Sequence, residues 1–104
     1  MPNTRLIWLA TETLGELRRR CLDLLRPGYS SDVERLLRWM DDIFTQLVTM
    51  EYPDAITEGL RRRTDLARGI IERTRADITL SFRQSEMESA INRLSDQLNH
   101  QAEG

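Results

Sequence analysis

Glu12 and Glu16 stand four residues apart in a stretch free of proline. In a helix that spacing stacks both carboxylates on one face. Like charges so placed repel by about 0.2–0.5 kcal/mol, and a bound divalent cation would turn that cost into a gain. Carboxylate oxygens unsupported by His or Cys suit a hard ion, Mg²⁺ or Mn²⁺, held by one or two acids together with water and substrate phosphate. Spacing alone favours a solvated surface, with Glu12 free in water and Glu16 paired with Arg19 or Arg20. Asp23 and Arg5 share that side of the chain. The sole histidine, His100, lies in the carboxy-terminal tail, away from any acid pair.

Arginine is the second chemical signal. All fifteen basic residues are Arg, whose planar fork grips phosphate or carboxylate in two-pronged geometry. Two triplets occur, Arg18 to Arg20 and Arg61 to Arg63, and Arg68 and Arg75 continue from Arg61 at heptad spacing. Such a line of guanidinium groups could follow a phosphate backbone. Acids at helical spacing oppose it: Glu58 with Arg62, Arg61 with Asp65, Arg68 with Glu72 and Arg73 with Asp77 would neutralise most of the row. The sequence contains no glycine-rich phosphate loop, no Ser/His/Asp set and no Cys/His metal spacing.

These residues need helices to position them. The chain has 104 residues, 39% hydrophobic and 31% charged, with only 5 Gly and 3 Pro, a composition that favours one small all-α domain over residues 1–104. A net charge of -2 leaves no global field to attract a polyanion. A lone Cys21 forms no internal disulfide and suits a reducing cytoplasm. The longest apolar run, Leu6 to Ala10, is too short for a membrane span or an export signal.

Apolar periodicity predicts an antiparallel bundle of about four helices, over residues 4–25, 31–51, 54–83 and 86–99. The first would bury Leu6, Ile7, Ala10, Leu14, Leu17, Cys21, Leu24 and Leu25, and Pro27 with Gly28 would end it. Ser31 with Glu34 has the spacing of a capping box opening the second, whose stripe comprises Val33, Leu36, Leu37, Met40, Ile43, Phe44, Leu47 and Val48. The third would bury Leu60, Ala67, Ile70, Ile71, Ile78 and Phe82. Beyond Phe82 the apolar stripe jumps to the opposite side, to Met87, Ala90, Ile91, Leu94 and Leu98, and Ser85 with Glu88 repeats the capping-box spacing there, so a break is expected. Trp8, Leu9 and Leu22 lie outside the main face of the first helix, which predicts self-association or a partner helix.

The run ETLGELRRRC, Glu12 to Cys21, resembles the central-helix segment of the translin and translin-associated factor X (Trax) family. The stretch YPDAITEGLRRRTDLARGIIERTRADITL, Tyr52 to Leu80, is similar to the archaeal Trax-like branch of that family. The resemblance implies a translin-like helical protein that binds single-stranded RNA or DNA, assembles into multi-subunit shells and includes metal-dependent endoribonuclease subunits. It implies Glu12 and Glu16 as catalytic ligands of Mg²⁺ or Mn²⁺; on that reading Arg19 and Arg20 would lie beside the departing phosphate, and Arg61, Arg62 and Arg63 would contact the strand. A second carboxylate pair, carried by an earlier helix in the family, has no counterpart here. The chain therefore resembles the carboxy-terminal half of a Trax-like protein. The alternative is a helical assembly module without catalysis.

Overall fold

A computed structural model describes residues 2–49 and 58–103. Three α-helices, α1 (Pro2–Leu25), α2 (Asp32–Thr49) and α3 (Glu58–Glu103), pack against one another, and no strand occurs among the described residues. Cross-helix contacts fix their directions. Trp8 and Arg18 of α1 meet Arg63 and Thr74 of α3, so these two helices run the same way. Tyr29, Asp41 and Phe44 meet Phe82, Arg75 and Arg68 in reverse order, so α2 runs against α3. The topology is up, down, up.

The turn between α1 and α2 is dictated by its residues. Pro27 cannot continue the helical hydrogen-bond ladder, and Gly28 takes a φ of 132° that side chains rarely tolerate, while its amide donates to the Leu25 carbonyl at 2.9 Å. At the start of α2 the expected capping box is replaced by another arrangement. Ser30 Oγ accepts from the Asp32 amide at 3.3 Å, and the Glu34 carboxylate accepts a hydrogen bond from the Tyr29 hydroxyl at 3.1 Å. Tyr29 also sets its ring edge-on to Phe82, with centroids 5.1 Å apart. The turn thus pins itself to α3, and that contact draws Glu34 away from the cap. Burial and the Glu34 carboxylate together raise the Tyr29 pKa.

The core joins Leu14 and Cys21 of α1, Val33, Leu37 and Met40 of α2, and Ala67, Ile70, Ile71 and Ile78 of α3. Cys21 is fully enclosed, and burial raises its thiol pKa against the smaller opposing pull of Arg18, so the thiol stays protonated and inert. Two buried polar groups escape the apolar periodicity. Thr11 and Thr74 donate to the carbonyls of Ile7 and Ile70 one turn back, which satisfies hydroxyls that would otherwise be costly to bury. Several expected core positions lie nearer solvent: Leu6, Val48 and Phe82 are all exposed, Phe82 with one edge against Tyr29. The Pro53–Asp54 interruption and the Leu60 side chain lie outside the described part of the chain.

The expected break at 84–86 is absent. α3 continues for 46 residues, about 69 Å at 1.5 Å per residue, and accounts for the 74 Å long axis of the molecule. Neither Gly nor Pro occurs from Ile70 to Glu103, so nothing interrupts the ladder, and the Ser85–Glu88 spacing falls inside a helix that has no free amides to cap. The α1–α2 turn reaches α3 as far as a groove lined by Gln84, Ser85 and Glu88, and every described residue from Glu86 onward is exposed. No helix among the described residues is long and apolar enough to cross a membrane.

Met40→Ala, which empties a fully buried position, should cost about 2–5 kcal/mol in urea denaturation, whereas exposed Arg38→Ala should stay within about 0.5 kcal/mol. Equal costs would contradict this core.

Candidate functional site

The outer face of α1 carries the acid pair. Both Glu12 and Glu16 are exposed and one helical turn apart, the arrangement their spacing predicts. Glu16 pairs with Arg19 at 3.6 Å, and Asp23 pairs with Arg26 at 3.3 Å two turns further on. Thr13, Glu16, Leu17, Arg19, Arg20 and Asp23 line a shallow groove along this face. Acid, base and hydroxyl therefore share one open surface, wet on all sides.

As a metal centre the face is half built. Two carboxylates one turn apart fall within the one or two that Mg²⁺ takes from a protein, the remaining positions being left to water and substrate phosphate. No group of three His, Cys, Asp or Glu side chains gathers anywhere among the described residues. The Arg19 guanidinium also already offsets the charge of Glu16, so the pair is tolerated without a cation. A third acid would have to come from outside these helices.

The arginine triplets separate into distinct roles. Arg18, the first of its triplet, turns inward: its guanidinium donates to Thr74 Oγ1 at 3.2 Å and meets the Asp77 carboxylate at 2.9 Å. It is a structural residue. Arg19 and Arg20 remain on the surface, and no ion pair among the described residues engages Arg20. In the second triplet Arg63 lies over the Trp8 ring, a cation–π contact that ties the start of α3 to α1. Arg61 and Arg62 are exposed.

Neutralisation along α3 departs from the i,i+4 pairs that helical spacing predicts. Asp65 pairs with Arg68, three residues away, and not with Arg61. Asp77 is taken by Arg18, so it is not the partner of Arg73. Arg75 spans to Asp41 of α2, touching both carboxylate oxygens at 2.9 and 3.1 Å, and lies 4.0 Å from Glu72. The Glu58 side chain, the expected partner of Arg62, lies outside the described part of the chain. A local i,i+3 pair takes the expected partner of Arg61 and a cross-helix pair takes that of Arg73, which leaves both arginines uncommitted among the described residues. The cross-helix roles of Arg18 and Arg63 have no sequence-local signal; they depend on which residues α1 and α3 bring level.

No family model matches the chain, and no solved structure matches it. It is similar to an uncharacterized protein of Methanocaldococcus jannaschii, MJ0175, with 30% identity over 83 residues, 80% of this chain and 37% of the relative. The chain thus spans little more than a third of that relative's length.

The Glu16–Arg19 pair is exposed on both sides, at 72% and 75%, and such pairs contribute little. Glu16→Gln should therefore shift stability by less than about 0.5 kcal/mol in thermal or urea unfolding. A larger loss would mean that Glu16 supports the fold, contrary to its surface placement.

Proposed function

We propose that this chain is a Trax-like helical unit that binds single-stranded RNA through exposed arginines and contributes Glu12 and Glu16 as half of a divalent-metal site. The observation that carries this reading is the shared outer face of α1, where both carboxylates stand exposed one turn apart beside Arg19 and Arg20. Arg61 and Arg62 offer further phosphate contacts from α3, where both are exposed. Arg63, engaged by Trp8, would be a weaker contact than its neighbours.

In this reading Glu12 and Glu16 would hold Mg²⁺ or Mn²⁺, an ion that polarises a phosphoryl oxygen and lowers the pKa of bound water. The chain's own residues do simpler work. Arg19 orients Glu16, Arg20 offers two-pronged binding to phosphate, and the arginine rows set the register of a strand on the surface. The free, buried thiol of Cys21 suits a reducing cytoplasm. A second reading, an assembly module without catalysis, draws on one specific observation: no third metal-binding side chain joins the acid pair among the described residues.

Fluorescence anisotropy with labelled single-stranded RNA tests the first reading. Binding should weaken with salt, and Arg61→Ala with Arg62→Ala should lower the salt slope by about 1 per arginine that touches phosphate. Calorimetric Mn²⁺ titration should give uptake that Glu16→Gln abolishes. RNA affinity unchanged by the arginine substitutions, with no Mn²⁺ uptake, would overturn the reading in favour of the assembly module.

A further inference from the structure

The free half of α3 carries an apolar stripe that none of the described residues of the bundle covers. Leu80, Met87, Ile91, Leu94 and Leu98 are 56–66% exposed. Large side chains left open in one continuous row mark an interaction surface. From Met87 onward their spacing alternates four, three and four, a 3.5-residue period in place of the 3.6 of a helix packed on a globular body. In heptad terms Ile91 and Leu98 occupy a, while Leu80, Met87 and Leu94 occupy d. Gln84 holds the a position between Leu80 and Met87, one polar layer inside the seam, and Gln101 at d closes its far end.

The direction of this seam matters as much as its period. At roughly 100° per residue, its centre lies about 145° around α3 from the buried row Ala67, Ile70, Ile71, Thr74 and Ile78. From Met87 onward the row of large side chains therefore faces away from α1 and α2, while Gln84 and Glu88 line a groove with the turn that joins those helices. From Leu80 to Gln101 the seam runs about 32 Å, three heptads, the length at which an a/d pattern becomes a coiled-coil signal.

We infer that the occupant is the same segment of a second copy, paired in parallel as a two-stranded coiled coil with the two bundles on its outer sides. Two features select it. Ile at a with Leu at d, the combination of Ile91 and Leu94, favours two strands over three or four in a parallel coiled coil. In that register Arg83 at g faces Glu88 at the following e of the partner copy, and symmetry makes the ion pair twice. An antiparallel alignment loses this complementarity: it sets Glu88 opposite Ser95 and Ala90 opposite Gln97. A matching seam is supplied by the chain itself, and both charges needed at its edge are present in one copy. The inference is independent of the metal and RNA reading, since it uses no residue of that face.

Sedimentation velocity and equilibrium on the full chain test it. The wild type should associate to twice the chain's mass. Leu94→Glu should weaken association at least about tenfold while leaving the helical circular dichroism of the body intact, because Leu94 supports no bundle contact. Arg83→Glu and Glu88→Arg should each weaken the dimer and together restore it. Gln84→Cys should give a disulfide-linked dimer on mild oxidation, since the parallel register places position 84 opposite itself. A monomer at the highest attainable concentration, or a dimer indifferent to Leu94→Glu, would overturn the inference. A dimer broken by Leu94→Glu but showing neither charge-swap rescue nor cross-linking by the Gln84→Cys variant would overturn the parallel register.

Discussion

The position of α1 along α3 rests on Arg18. Its guanidinium reaches across to the buried Thr74 hydroxyl and to Asp77 at once, and Thr74 in turn donates to its own helix at Ile70. A guanidinium tolerates such a half-buried place only when its donors find acceptors, so this contact specifies one register where apolar packing alone would permit sliding by a turn. With that register set, Leu14 and Cys21 share the core with Ile71 and Ile78, and Trp8 falls under Arg63. The outer face of α1, with its two glutamates, is then turned to water.

The same register determines where cover ends. α1 has 24 residues and α2 has 18, against 46 in α3. Once their common turn is fastened to Phe82 by Tyr29, neither helix can shield the rest of α3. The molecule therefore divides into a packed body and a free helical arm, which present different chemistry. The body offers an acid pair and arginines; the arm offers an apolar seam.

Much of this was legible in the residues. Apolar periodicity located α1 and α2, Pro27 and Gly28 marked the turn, and the exposure of Glu12 and Glu16 followed from their place opposite Leu14 and Cys21. The change of stripe after Phe82 was also visible, but its meaning was not. A stripe changes side either because a helix ends or because its neighbour does, and periodicity alone cannot separate the two. The absence of Gly and Pro between Gly69 and Gly104 decides for a change of neighbour. The buried Thr74 escaped detection because threonine counts as polar in any pattern of hydropathy, and the inward turn of Arg18 was hidden within a triplet whose other members face water. Local counting likewise assigned Asp77 to Arg73, whereas the fold supplied a stronger partner from another helix. Residues whose partners lie dozens of positions away are the ones that sequence spacing leaves open.

A double-mutant cycle on Arg18 and Asp77 tests this dependence most directly. Arg18→Met, Asp77→Asn and the pair together, compared by urea denaturation at fixed protein concentration, should reveal a coupling of about 0.5–1 kcal/mol or more, as expected for residues that share one polar network. Costs that add to within about 0.3 kcal/mol would show the two side chains to be independent, and would contradict the account in which this contact sets the register of the bundle.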